Sequence, residues 1–118
     1  MTDRTLTVTC HTHPTGATVL SATGELDYHT APQLTHAIQD APFAADRPVV
    51  MDLTGLTYCD STGITVLIHA YQRAQTAGCP LSVAGLNEDL LRVFRIVGLD
   101  QVFTFHPTVD TALNAPQI

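Results

Sequence analysis

Positive charge is scarce in this sequence of 118 residues. Five Lys and Arg residues stand against eleven Asp and Glu residues, and the formal net charge is −6 at pH 7. Proteins that bind nucleic acids or anionic membranes usually carry basic patches that neutralise phosphate groups. The charge balance therefore argues against both kinds of partner and favours proteins or small molecules.

Cysteines are few, and their spacing does not suit a disulfide framework or a zinc site. The three cysteines, Cys10, Cys59 and Cys79, are odd in number and form no Cys-x-x-Cys pair. Residues 1–6 lack the apolar core of a signal peptide, and no apolar run approaches the length of a membrane span. We expect buried or half-buried thiols in a reducing compartment and a cytoplasmic protein.

The sequence contains enough apolar residues for one folded domain. Its hydrophobic fraction is 45% and its charged fraction is 14%, which is typical of a globular chain. Apolar periodicity predicts strands at residues 6–10, 17–23, 49–53, 81–84 and 102–105, and helices at about residues 30–41, 60–77, 87–97 and 108–113. A hairpin followed by alternating strands and helices predicts an α/β fold, with a mixed, mostly parallel sheet and helices packed against it.

The centre of this pattern is a buried strand that leads into a helix. Residues 49–53 form a continuous apolar run, which is typical of a strand covered on both faces. We expect a turn over residues 54–59 and a helix from Asp60 and Ser61 onward. Its buried stripe is predicted to be Ile64, Leu67, Ile68 and Tyr71, and the helix is expected to end at Gly78.

Two further helices carry clear start and stop signals. Thr30 and Gln33 are spaced as a capping box, and Asn87 is a good N-cap residue. The second of these helices is predicted to bury Leu90, Phe94 and Val97 before Gly98 ends it. Before the first helix, residues 24–27 are predicted to leave the sheet.

Asp60, Ser61, Thr62 and Gly63 are the residues most suggestive of a functional site. On residue types alone they form an ordinary helix cap, because Asp, Ser and Thr are the usual residues there. A hydroxyl at a helix N-terminus is also well placed to carry a phosphate. Gly63 is expected to let the backbone of a partner approach closely.

Residues 52–64 resemble the signature of STAS domains, specifically of bacterial anti-sigma factor antagonists. Residues 24–27, Gly-Glu-Leu-Asp, resemble the second recurrent motif of that family. The predicted order of elements matches the family over residues 6 to about 113. The resemblance implies one STAS domain over residues 1–118.

The resemblance also implies a partner switch. In this family the unmodified antagonist binds an anti-sigma factor that is also a GHKL-type serine kinase, which releases a sigma factor. Phosphorylation of one serine breaks the complex, and a PP2C-type phosphatase reverses it. The phosphorylated serine of the family falls on Ser61, and the partner-binding residues are expected to be Asp27, Asp60, Ser61, Thr62 and Gly63. The family implies no catalytic residue, cofactor or metal in this chain.

Three alternatives remain open at this point. Thr62 could compete with Ser61 as phosphate acceptor. The chain could be an unphosphorylated STAS scaffold in a stress-sensing or lipid-transport complex. It could also be a small hydrolase using Ser61, although it lacks a Gly-x-Ser-x-Gly motif.

The histidines do not suggest a metal site. His11 and His13 lie close together in sequence but lack a third ligand with suitable spacing. The other four histidines are scattered through predicted turns and helix faces and form no recognisable cluster. They are His29, His36, His69 and His106.

Overall fold

The computed structural model describes residues 5–114. These residues form six strands, four α-helices and one short 3-10 turn at Leu99–Gln101. The strands are β1 (Leu6–Thr12), β2 (Thr18–Leu26), β3 (Val49–Asp52), β4 (Leu56–Cys59), β5 (Leu81–Ala84) and β6 (Thr104–His106). The helices are α1 (Ala31–Asp40), α2 (Ser61–Ala77), α3 (Glu88–Ile96) and α4 (Val109–Asn114).

The strands form a single mixed sheet in the order β1-β2-β3-β5-β6, with β4 also paired to β2. Only β1 and β2 are antiparallel within the described residues, and the other pairs are parallel. The predicted hairpin and the mostly parallel sheet are therefore confirmed. The β3 strand lies inside the sheet and is buried over Val49–Met51, as its continuous apolar run predicted.

The prediction that residues 54–59 form only a turn is wrong. After a tight turn at Thr54, whose amide and hydroxyl both donate to the Asp52 carboxylate, the chain resumes as β4. The β2 strand is nine residues long, so it pairs first with β3 and then with β4. For the same reason Gly24–Leu26 stays in the sheet rather than leaving it, with a register shift between Gly24 and Glu25.

The main core lies on one face of the sheet, where α1, α2 and α3 contribute Leu34, Leu67 and Phe94. On the opposite face, Val50 and Ala84 pack against Ala112 of α4. The sheet therefore has helices on both faces. This arrangement explains why its central strands carry apolar residues at successive positions.

The buried stripe of α2 differs from the prediction. The buried residues are Gly63, Val66, Leu67, Ala70 and Ala74. The predicted residues Ile64, Ile68 and Tyr71 are only partly buried at the edge of the core. Small residues such as Gly63, Ala70 and Ala74 allow the helix backbone to lie close to the sheet. A prediction based on large apolar residues therefore chose a neighbouring face of the helix.

Helix α3 begins and ends as predicted, but the prediction that Val97 is buried is wrong. The Asn87 side chain accepts a hydrogen bond from the Leu90 amide, and Gly98 has a left-handed φ of 84° just beyond the helix. Leu90 and Phe94 are buried, whereas Val97 is 52% exposed. Val97 is the C-cap residue, and the 3-10 turn that follows brings Leu99 into the core instead.

Candidate functional site

Ser61 is the first residue of α2 and is exposed. Asp60 precedes it in extended conformation, and its carboxylate accepts a hydrogen bond from the Gly63 amide at 3.0 Å. Within residues 5–114 the Ser61 hydroxyl makes no hydrogen bond. The predicted helix start is confirmed, and Asp60 is its N-cap. The site presents an accessible hydroxyl beside the positive end of a helix dipole.

Two substitutions of Asp60 distinguish the stabilisation due to its capping hydrogen bond from that due to its negative charge. Asp60→Ala removes the acceptor for the Gly63 amide and should lower the free energy of unfolding by about 1 kcal/mol. Asp60→Asn keeps a side-chain oxygen at this position and should retain most of the stability. Urea denaturation monitored by circular dichroism measures both. If both variants lost the same free energy of unfolding, the capping hydrogen bond would not be the source of the stabilisation by Asp60.

Gly63 is buried where α2 crosses β2 and β4. A Cβ atom at this position would lie 2.6 Å from Leu26 Cγ and 2.8 Å from Cys59 Sγ. The close contact that we expected from the backbone of a partner is therefore made by two side chains of the same domain. Direct partner binding by Gly63 stays a prediction, and the structure gives this residue a role in holding the Ser61 turn against the sheet.

The Gly63→Ala variant should be destabilised because the added methyl group overpacks this crossing. We expect a loss of about 1–3 kcal/mol in the free energy of unfolding. Gln72→Ala, at an exposed position of α2, is the control and should change stability by less than about 0.5 kcal/mol. Thermal and urea denaturation of both variants provide the test. A Gly63→Ala protein as stable as the control would contradict the packing argument.

Asp27 closes the loop between β2 and α1. Its Oδ1 atom accepts hydrogen bonds from the amides of His29 and Thr30 at 2.9 and 3.0 Å, and the Thr30 hydroxyl lies 3.2 Å away. The Asp27 residue is only 4% exposed. Its observed role is therefore to form the turn, and contact with a partner stays a prediction.

The capping box predicted for α1 is wrong. Thr30 has a helical backbone conformation and makes no side-chain cap hydrogen bond. Its hydroxyl lies 2.7 Å from the Glu25 carbonyl oxygen and also accepts from the Asp27 amide. Asp27 and Thr30 thus stabilise each other in the loop before the helix.

The loop at Asp27 and the turn at Ser61 lie side by side. Leu26 and Cys59 are neighbours across β2 and β4, and the Asp60 amide donates to the Leu26 carbonyl at 3.1 Å. Asp27 and Asp60 line one depression of about 290 Å³. Its remaining lining residues are Tyr28, His29 and Tyr58. Because β2 and β4 are parallel, their carboxyl ends bring the two sequence motifs to one edge of the sheet.

A larger groove of about 690 Å³ runs between α1 and α2 and begins next to Ser61. Thr62 and Val66 line it from α2, and Pro32 lines it from α1. It is also lined by three histidines, which are His29, His36 and His69. The sequence did not indicate that these histidines share a groove, which α1, α2 and the loop before α1 form together.

Tyr28 and Tyr58 are aromatic surface residues that the sequence reasoning missed. Tyr28 is 73% exposed and contacts the His29 ring edge-on at 5.6 Å between centroids. Tyr58 is also exposed, on β4. Exposed aromatic side chains are enriched at protein interfaces. The sequence did contain one indication of this surface, because Tyr28 directly follows the Gly-Glu-Leu-Asp motif at residues 24–27.

The Cys59 thiol lies behind the Ser61 turn and is unsuited to nucleophilic chemistry. Burial raises the pKa of Cys59 to about 12, and the charge of Asp60 adds to the effect. The thiol therefore stays protonated near neutral pH. No histidine within residues 5–114 hydrogen-bonds to Ser61, so this part of the structure shows no contact between a base and the serine of the kind that the hydrolase alternative requires.

The prediction that the thiols are buried or half-buried is wrong for Cys10, which is exposed on β1.

Among residues 5–114, no group of three or more His, Cys, Asp and Glu residues is arranged to hold a metal ion. None of the helices in the same residues combines the length and apolar character needed to cross a membrane.

The structure is a small α/β domain with an exposed serine, Ser61, at the start of α2. The chain belongs to the STAS domain family, whose model matches residues 10–112. An anti-sigma-B factor antagonist of Listeria monocytogenes is 33% identical over 79 residues, which cover 67% of this chain and 69% of the relative. An anti-sigma-F factor antagonist of Mycobacterium tuberculosis is 28% identical over 106 residues, covering 87% and 82% of the two chains.

The fold agrees with a solved structure of the same kind. The crystal structure of an anti-sigma factor antagonist from Mycobacterium paratuberculosis superposes with a TM-score of 0.79 and is 31% identical. The match covers 92% of each chain. The resemblance found in residues 24–27 and 52–64 is thereby confirmed at the level of the family.

Proposed function

We propose that this chain is an anti-sigma factor antagonist whose binding is switched by phosphorylation of Ser61. The observation that carries the proposal is the exposed Ser61 hydroxyl at the start of α2, beside the Asp27 loop. Asp27, Asp60, Ser61, Thr62 and Gly63 form or support the binding surface. The names of the relatives from Listeria and Mycobacterium support the general role.

The partner is an anti-sigma factor with GHKL-type serine kinase activity. The unmodified chain binds it and so releases a sigma factor, and a PP2C-type phosphatase restores the unmodified state. This cycle operates in the cytoplasm. The chain itself contributes no catalysis, since its part is to present the hydroxyl.

The switch acts on the interface rather than on the fold. A phosphate adds about −1.5 to −2 charge at pH 7. At a helix N-terminus this charge has a small and favourable effect on the folded domain, of order 0.3–1 kcal/mol. Inside an interface, desolvation and like charges cost several kcal/mol. Asp60 already places a negative charge next to Ser61.

Phosphopeptide mass spectrometry after incubation with ATP and candidate anti-sigma kinases tests the proposal. Phosphate should appear on Ser61, and Ser61→Ala should abolish incorporation. Thr62→Ala is the matched control, because Thr62 is the neighbouring hydroxyl, and it should leave incorporation intact. Phosphate on Thr62 would overturn the choice of residue. A chain that binds its partners but stays unmodified would favour the unphosphorylated scaffold.

A further inference from the structure

Among residues 5–114, the β1 strand forms one edge of the sheet. It comprises seven residues, Leu-Thr-Val-Thr-Cys-His-Thr, and pairs only with β2 within the described part of the chain. Natural proteins usually protect such edges with charged residues, proline, bulges or a short strand. The opposite edge follows this rule, because β6 has three residues and is followed by Pro107. The β1 strand has no charged residue, proline or glycine.

The hydrogen bonds at the two ends of the hairpin show which backbone groups face outward. The Glu25 amide donates to the Thr5 carbonyl, and the His13 amide donates to the Ala17 carbonyl. In an antiparallel pair such bonded positions alternate. Odd-numbered residues of β1 therefore bond to β2, and the even-numbered ones direct their amides and carbonyls away from the sheet. These are Leu6, Val8, Cys10 and Thr12.

We propose that two copies of this chain pair through their β1 edges as antiparallel strands, related by a two-fold axis at Thr9. This register aligns the whole strand with its copy. Val8 of one copy then faces Cys10 of the other, and the outward groups form about eight hydrogen bonds. The two sheets become continuous across the axis.

The charge distribution and the side chains of β1 favour a second copy as the occupant. The chain carries a net charge of −6, so two copies repel each other overall, but β1 contains no charged residue. In the proposed register Thr9 faces Thr9 and Thr7 faces His11, so no acidic side chains meet. On the core side of the sheet, the partly buried Val8 gains cover from Cys10. The Ser61 turn is not part of the pairing strand.

The first test is the mass of the full-length chain in solution. Pairing through one strand buries little surface, so the dimer should be weak and concentration-dependent. Sedimentation equilibrium from micromolar to about millimolar concentration should show a rise towards twice the chain mass. A chain that stays monomeric throughout this range overturns the proposal.

The second test removes one outward hydrogen-bond donor from each copy. Cys10→Pro deletes an outward amide while leaving the bonds to β2 intact, and proline is tolerated on edge strands. It should reduce dimerisation at least about tenfold, whereas Cys10→Ser keeps the amide and should behave as the parent chain. Circular dichroism checks the fold of both. A dimer that persists unchanged in folded Cys10→Pro overturns the edge assignment.

Cysteine cross-linking tests the register and does not depend on the proline variant. In a Cys10→Ser background, Thr9→Cys places two thiols opposite each other with Cα atoms about 4.5 Å apart, which suits a disulfide. Thr7→Cys lies on the same exposed face, but its two copies are roughly 13 Å apart along the strands. Mild oxidation should cross-link the first variant and not the second. Cross-linking of Thr7→Cys, or of neither variant, overturns the register.

Discussion

Phosphorylated Ser61, or Ser61→Asp as its mimic, should weaken binding to the anti-sigma kinase about 100- to 1,000-fold, since the charge costs several kcal/mol in a close interface. Ser61→Ala should retain binding, because within residues 5–114 the hydroxyl makes no hydrogen bond that the variant would break. The change acts where Asp27 and Asp60 already line one depression. A phosphate there adds charge to a surface that must be desolvated.

Isothermal titration calorimetry with a candidate anti-sigma kinase gives the dissociation constants. Gln72→Glu is the matched control, because it adds one negative charge at an exposed position further along the same helix. It should change the affinity by less than about threefold if rim charges contribute little. Equal weakening by Gln72→Glu and Ser61→Asp would mean that total charge, rather than the position of Ser61, controls binding.

The phosphorylated chain also tests whether weaker binding comes from the interface or from a change in the fold. Ser61 begins a helix of 17 residues, where a negative charge is favourable to the folded state. Circular dichroism and amide chemical shifts of the phosphorylated chain should therefore show changes confined to the turn at residues 59–63. Global rearrangement of the spectra would contradict an interface-based switch.

The sequence located the Ser61 turn well because its signals are local. A buried apolar strand, an acidic N-cap and a left-handed Gly78 can each be read from a few adjacent residues, and Asp60 and Gly78 fill those roles in the structure. The family resemblance depended on the same short segments. A helix start set by its own capping residue is little affected by the rest of the fold.

The missed features depend on residues that are distant in sequence. The β4 strand is stabilised by pairing with β2, and its four residues carry too little periodicity to be distinguished from a turn. The groove histidines come together only when α1 and α2 pack side by side. The capping box at Thr30 failed because Asp27 and Glu25 compete for the same hydroxyl.

Phe94→Ala should have the largest effect on stability. Phe94 is fully buried and meets the Phe105 ring at 6.0 Å between centroids, with the planes at 66°. Removing a buried phenylalanine costs about 3–5 kcal/mol, against a total stability of about 5–15 kcal/mol for a typical domain. The variant should unfold at much lower urea concentration, or lack cooperative unfolding altogether.

Val97→Ala is the informative comparison, because sequence periodicity places Val97 on the same stripe as Phe94. In the structure Val97 is exposed at the end of α3, and Leu99 occupies the core instead. Its truncation should change stability by less than about 0.5 kcal/mol, as for other surface positions. An effect close to zero for Val97→Ala would agree with its exposed position and with a core contact made by Leu99 instead. Similar losses in the two variants would contradict the exposed position of Val97.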